Sequence, residues 1–157
     1  YALTLEHLEH AFYRDGLEQF AEEDFVDAGY AAVVYQNFEA IRDHEMEHVT
    51  TLTQVINDLG GEPVAEAEYD FGYADLPGFV GVAQALENTG VSAYQGAAGF
   101  LIDEDELLTA ALTIHGVEAR HASYLNGLNG ASPFPDAVNP TLTPDEVLAI
   151  AGPFIVS

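Results

Sequence analysis

The sequence predicts an all-α protein: a four-helix bundle with one long crossover between its halves and a short C-terminal helix. Four long segments repeat apolar residues at helical rather than strand spacing. A run of about 18 residues, GGEPVAEAEYDFGYADLP, separates the second segment from the third, too long for a hairpin between neighbouring antiparallel helices. The 157 residues, nearly half of them hydrophobic, suffice for one domain with a buried core. We therefore read residues 1–157 as a single domain, with the bundle over roughly 2–128 and an extended tail over 129–157.

The first helix is expected over roughly Ala2 to Ala21. The second runs from about Tyr30 to Leu59, closed by Gly60-Gly61. The third runs from about Gly78 to Ile102. An acidic turn, Asp103 to Glu106, starts the fourth with Asp103 as its N-cap, and that helix ends near Leu128 before Asn129-Gly130. In the tail, Thr143, Pro144 and Glu146 stand as N-cap, N1 and N3 of a short helix.

The chain carries 27 acidic residues against three arginines and no lysine, a formal charge of −24. Phosphate backbones and anionic lipid are repelled by such a surface, which argues against a nucleic-acid partner. It suits a high-salt medium, where screening within about 3 Å at 1 M removes self-repulsion; attraction of metal cations is the rival account. No run approaches the roughly 20 apolar residues of a membrane span, so no membrane insertion is expected. The absence of cysteine excludes disulfides, thiolate zinc sites and iron–sulfur clusters. The chain starts at Tyr1 and its one methionine is Met46, as expected of a processed or trimmed chain whose export signal is gone.

The stretch HEMEH, residues 44–48, fits two metal motifs. As His-Glu-x-x-His it is the zinc-protease pattern; as Glu45-x-x-His48 it is the step by which a bundle helix feeds a two-metal centre. Periodicity decides between them. Val34, Phe38, Ile41, Glu45, His48, Leu52, Val55 and Leu59 form one core seam, interrupted by one carboxylate and one imidazole. His44 falls on a polar stripe with Asn37, Thr51 and Asp58, and is expected at solvent or a shallow boundary. The fourth helix repeats the pattern with Leu107, Ala111, Ile114, Glu118, His121, Leu125 and Leu128.

Each remaining helix should then add one glutamate. Glu87 is the only acid between Asp75 and Asp103, with Tyr94 seven residues on. On the first helix, LEHLEHAFY (residues 5–13) echoes LENTGVSAY (residues 86–94), pairing Glu6 with Glu87, Tyr13 with Tyr94, and Glu9 with Gly90. Glu6 is thus the candidate ligand, and Glu9 is left as either a third inward acid or a boundary residue. The metal candidates are Glu6, Glu45, His48, Glu87, Glu118 and His121.

Four carboxylates and two imidazoles form a hard, oxygen-rich set suited to two iron ions, with manganese as the alternative. Two divalent ions neutralise the four negative charges. Without them, the carboxylates must take up protons or lose several kcal/mol each on burial. Glu45 and Glu118 are placed to bridge, His48 and His121 to cap one ion each, and Glu6 and Glu87 to serve as end ligands. Tyr13 and Tyr94 are candidate hydrogen-bond donors to ligand carboxylates, ordinary core aromatics being the alternative. His7, His10, His44 and His115 are read as boundary or surface residues rather than ligands.

Together LTLEHLEHAFYRDGL, HEMEHVTTL, ALENTGVSAYQGA, VEARHASYL and TPDEVLAIAGPFI resemble the ferritin-like domain family of exported and stress- or desiccation-associated proteins. The resemblance covers nearly the whole chain. It implies a ferritin-like bundle with a di-iron-type site at the six residues above, and an extracellular or cell-surface location. The lysine-free acidity resembles that of haloarchaeal proteins, for which a salt-accumulating cytoplasm is the alternative. The expected function is a stress-protective oxidoreductase or ferroxidase using oxygen or peroxide, with manganese-catalase chemistry as a further option. The competing expectation is a secreted or cell-surface assembly module, a homo-oligomer among the options, in which the Gly- and Ala-rich third helix lets another helix approach closely (packing within the chain being served equally) and any metal is structural or vestigial. The five prolines of the tail and the long crossover argue against a storage cage.

Overall fold

The structure, a computed structural model, describes residues 1–156. It contains α1 (Ala2–Gln19), α2 (Glu22–Asp27), α3 (Val33–Asp58), α4 (Leu76–Ala97), α5 (Asp105–Leu128) and α6 (Pro144–Ala151). The four long helices pair as expected: α1 packs chiefly on α3 and α4 on α5, with α1–α4 and α3–α5 contacts closing the bundle. The helix after Thr143 forms with its capping box, the Thr143 N–H donating to Glu146 Oε2 at 2.8 Å and Glu146 N–H to Thr143 Oγ1 at 3.3 Å. At the end of α3, Gly60 takes a φ of 73° and the Gly61 N–H returns 2.8 Å to the Ile56 carbonyl, a reversal that favours glycine.

Several boundaries differ from expectation. α1 stops at Gln19, and α2 follows where no helix was expected. Asp24 accepts the Ala21 N–H at 2.8 Å, and the fully buried Phe25 anchors the short turn. Asp103 does not cap α5. Glu104 holds the N-cap position without a side-chain bond, and Asp103 lies in the preceding turn. α4 begins two residues early because Asp75 accepts the Gly78 N–H at 2.8 Å, and it ends at Ala97, followed by a 3-10 turn over Ala98–Phe100. The last turn of the α3 seam is not core: Val55 is half-buried and Leu59 exposed.

The two ends of the bundle differ in filling. Phe12, Tyr13, Phe25, Phe38 and Phe79 are fully buried and interlock at one end, Phe12 and Phe79 stacking with centroids 4.8 Å apart. The other end holds a smaller cluster of Leu3, Leu52, Tyr94, Ala111 and Ile114. There an apolar cavity of about 270 Å³ remains, lined by Leu52, Ile56, Tyr94, Ala97, Ala110 and Ala111 among others.

The crossover lies along α1: His7 Nε2 is 3.1 Å from the Val64 carbonyl, and Arg14 donates to Glu66 at 2.8 Å. The C-terminal segment returns to pin it. Tyr69 and Ile155 form a single antiparallel bridge, with Asp70 N–H donating to Phe154 O and Val156 N–H to Glu68 O. The small-residue stripe of α4 serves this tail: a Cβ at Gly96 would lie 2.0 Å from the Leu142 carbonyl oxygen, and Leu142 N–H donates to Ser92 O. No described helix is long and apolar enough to cross a membrane.

Candidate metal centre

The six predicted donors meet in the middle of the bundle. Glu6 on α1, Glu45 on α3, Glu87 on α4 and Glu118 on α5 are each 0% exposed, and His48 and His121 are almost as deeply buried. A three-residue step along a helix returns to the same face, so each Glu-x-x-His pair points inward together. Two quartets result: Glu6, Glu45, His48 and Glu118, and Glu45, Glu87, Glu118 and His121. Within each quartet one donor atom per residue lies within 4.8 Å of the others. That is close to the spread set by metal–donor bonds of about 2.1 Å, so each quartet could hold a metal ion, and Glu45 and Glu118 belong to both.

The distances show imidazoles shared among carboxylates. His48 Nδ1 is 3.0 Å from Glu45 Oε2, 3.1 Å from Glu6 Oε2 and 3.3 Å from Glu118 Oε1. His121 Nδ1 is 3.0 Å from Glu45 Oε1 and 3.2 Å from Glu87 Oε2. Glu45 Oε1 and both oxygens of Glu118 nonetheless make no aligned hydrogen bond. Nearness without alignment leaves buried acceptors unsatisfied, which is costly in a protein interior. Buried carboxylate oxygens left without an aligned donor, beside two imidazole nitrogens already shared among other carboxylates, are a donor set that a cation would satisfy.

The two tyrosines exchange partners across the centre. Tyr13 on α1 donates to Glu87 Oε1 on α4 at 2.7 Å, and Tyr94 on α4 donates to Glu6 Oε1 on α1. Both are hydrogen-bonded to candidate ligands rather than ordinary core aromatics. Burial and the adjacent glutamates raise both phenols well above their usual range, so each keeps its proton to donate.

Glu9 is buried too, at 3% exposure, and its Oε2 has no partner. Its counterpart in the other half is Gly90, and a Cβ there would lie 2.5 Å from Glu118 Oε2 and 3.2 Å from Glu9 Oε1. The missing side chain makes room for two carboxyl groups. Glu9 stands in neither quartet.

Without metal, protons balance the charge. Burial and neighbouring carboxylates hold Glu9 and Glu118 well above the usual range; burial, against the opposing imidazoles, raises Glu87 and brings Glu6 to about 7. Burial opposes charge on Glu45, His48 and His121 as well, but their mutual contacts prevail. Glu45 falls to about 2, while carboxylate neighbours raise His48 to about 12 and His121 to about 9.

None of the other four histidines joins a quartet. His7 and His115 are half-buried. His10 is buried rather than at the surface, beneath the crossover. His44 is exposed, as its polar stripe predicts, yet its Nδ1 is 2.9 Å from His121 Nε2. A helical seam separates inward from outward residues only, so the sequence carries no sign of an outer side chain reaching the back of an inner one. Burial lowers the His44 imidazole, and the positive His121 beside it adds to the effect.

The chain is similar to Protein rds1 of Schizosaccharomyces pombe, with 27% identity over 157 aligned residues. The alignment takes in 99% of this chain but spans only 38% of that protein's length. A profile described as the ferritin-like domain matches residues 1–131, from the start of α1 to the turn after α5. With that match, the paired helices and the six convergent donors, the chain belongs to the ferritin-like domain family.

Proposed function

We propose that this protein is a two-metal carboxylate oxidoreductase that oxidises Fe(II) with oxygen or peroxide, in protection against oxidative or desiccation stress. One observation carries the reading: two buried quartets share Glu45 and Glu118, so two ions would sit side by side on common carboxylates. Four glutamates and two imidazoles favour iron or manganese over softer ions. A bound ferrous pair would supply two electrons, the number that takes dioxygen to peroxide or peroxide to water.

The residues divide the work. Glu45 and Glu118 would be shared by the two ions, while His48 and His121 would each serve one through Nδ1. Glu6 and Glu87 would be the end ligands. Each has one oxygen held by a tyrosine, leaving the other for the ion. The bundle buries the four glutamates completely, and of the six donors only His48 and His121 border outer clefts. The apolar cavity ends at Tyr94, the hydrogen-bond donor to Glu6, and would admit a small apolar oxidant such as dioxygen to that side of the centre.

Anaerobic Fe(II) titration followed by air is the test. Two irons per chain and oxidation faster than in buffer alone are expected; binding well below two per chain, or no acceleration, ends the proposal. Replacing iron by manganese and measuring oxygen evolution from peroxide separates the catalase alternative.

A further inference from the structure

The two halves of the centre are not equivalent, and the difference lies behind one imidazole. His121 has its Nδ1 among carboxylates and its Nε2 2.9 Å from His44 Nδ1. The two rings are tilted by only 7° with centroids 5.2 Å apart. A nitrogen–nitrogen contact of 2.9 Å at that centroid separation places them end to end in nearly one plane, the geometry of an N–H···N bond rather than a face-to-face stack.

The other half has no counterpart. His44 precedes Glu45 on α3, and the residue that precedes Glu118 on α5 is Val117. Val117 lines the same cleft as His48 but offers no acceptor. Among the described residues, His48 makes hydrogen bonds only through Nδ1, to Glu6 and Glu45.

We propose that His44 is a positioning residue that makes the His121 half-site the tighter of the two, so that the centre loads in order. The proposal rests on the two-metal reading above. His44 accepts the Nε2 proton of His121, fixing the tautomer that presents a bare Nδ1 inward and holding the ring in plane. The electron density returned through the ring makes His121 a better donor. His48 must hold its orientation without such a partner. An outer hydrogen bond to a ligating imidazole is worth about 10–100-fold in metal affinity.

Co(II) added anaerobically to the metal-free full chain, followed by its visible absorption and by calorimetry, tests this without reference to turnover. The native chain should bind two ions in two steps, the first about 10–100-fold tighter. His44→Ala should weaken the first step by that factor and merge it with the second, whereas His44→Gln, which retains an acceptor oxygen, should recover part. Val117→His should tighten the second step. Because His44 is exposed, its variants should keep the native helical signal; were His44→Ala not to fold, His44→Gln and Val117→His would still decide. Two ions bound with His44→Ala weakening both steps equally, or neither, overturns the ordered-loading proposal and leaves the metal centre standing. Absence of Co(II) binding by the native chain overturns both.

Discussion

Tyr13 and Glu87 are 74 residues apart in sequence, yet the phenol donates to the carboxylate at 2.7 Å through the middle of the bundle. Tyr94 does the same for Glu6 in the opposite sense, so each end ligand is held by the helix that carries the other. Tyr13→Phe keeps the ring packing and removes only the donor from a buried oxygen. The expected cost is about 1–3 kcal/mol in denaturant unfolding of the metal-free protein. A loss under 0.5 kcal/mol would mean that the bond contributes nothing net.

Glu118 should behave as a residue kept for binding rather than for stability. Both its oxygens lack aligned partners, and its proton is held well above the usual carboxylate range. Glu118→Gln mimics the protonated form, so metal-free stability at pH 7 should stay unchanged or rise by about 1 kcal/mol. Metal content should fall below two per chain because the shared anionic bridge is gone. Full loading of the variant by elemental analysis would refute that role.

The pH dependence of the metal-free protein has a definite sign. Glu6, raised to about 7, holds a proton in the folded state that the unfolded chain releases near 4.5, so stability falls as pH rises between those values. His121, raised to about 9, and His48, raised to about 12, contribute stability that is complete below 6.5 and is lost as pH rises through those values. Glu45, lowered to about 2, contributes stability present above 4.5 and lost as pH falls toward 2. Thermal melts of the metal-free chain should therefore be highest near pH 4.5 and decline toward pH 9. With metal bound the decline should flatten, since binding displaces the same protons. A metal-free melting temperature that rises from pH 6 to 9 would contradict this assignment.

The alanine-lined cavity predicts a kinetic variant. Ala110→Leu adds three carbons to a space of about 270 Å³ without touching a donor. Stability should hold or improve by about 0.5–2 kcal/mol, as cavity filling commonly gives. Oxidation of the loaded centre by dioxygen should slow several-fold while metal content stays at two per chain. An unchanged rate in stopped-flow mixing would move the access route elsewhere.

With a net charge of −24, the folded chain should depend on salt. Dilution from molar salt into dilute buffer should unfold it, seen as loss of helical circular dichroism, as the screening length grows from about 3 Å to 30 Å. An unchanged spectrum would exclude the halophilic reading of its surface.

The central cluster was legible because polar residues interrupt apolar seams. Two Glu-x-x-His steps on core faces, and the echo pairing Glu6 with Glu87 and Tyr13 with Tyr94, name the six side chains that the structure brings together. Other features depend on what lies opposite a residue in space. His10 is buried because the crossover lies over α1, and α2 is held by Phe25 in the core more than by any pattern in its own six residues. Asp103 is a good N-cap by type, but the turn from Leu101 to Glu104, closed by a 2.9 Å backbone bond, shifts the start of α5 beyond it. The role of Glu9 turns on the side chain that Gly90 lacks, a vacancy visible only with both helices in place.

The bridge between Tyr69 and Ile155 ties the last residues to a segment 86 positions earlier. Val147 and Ala151 of α6 share one core with Phe71 of that segment and with α4. All six donors lie before residue 131, where the family match ends, so a chain cut there would keep every ligand and still strip apolar surface from Phe71 and α4. The family profile therefore stops short of residues on which the core depends, while the similarity to Protein rds1 runs on through them, and shortened versions should include residues through at least Val156.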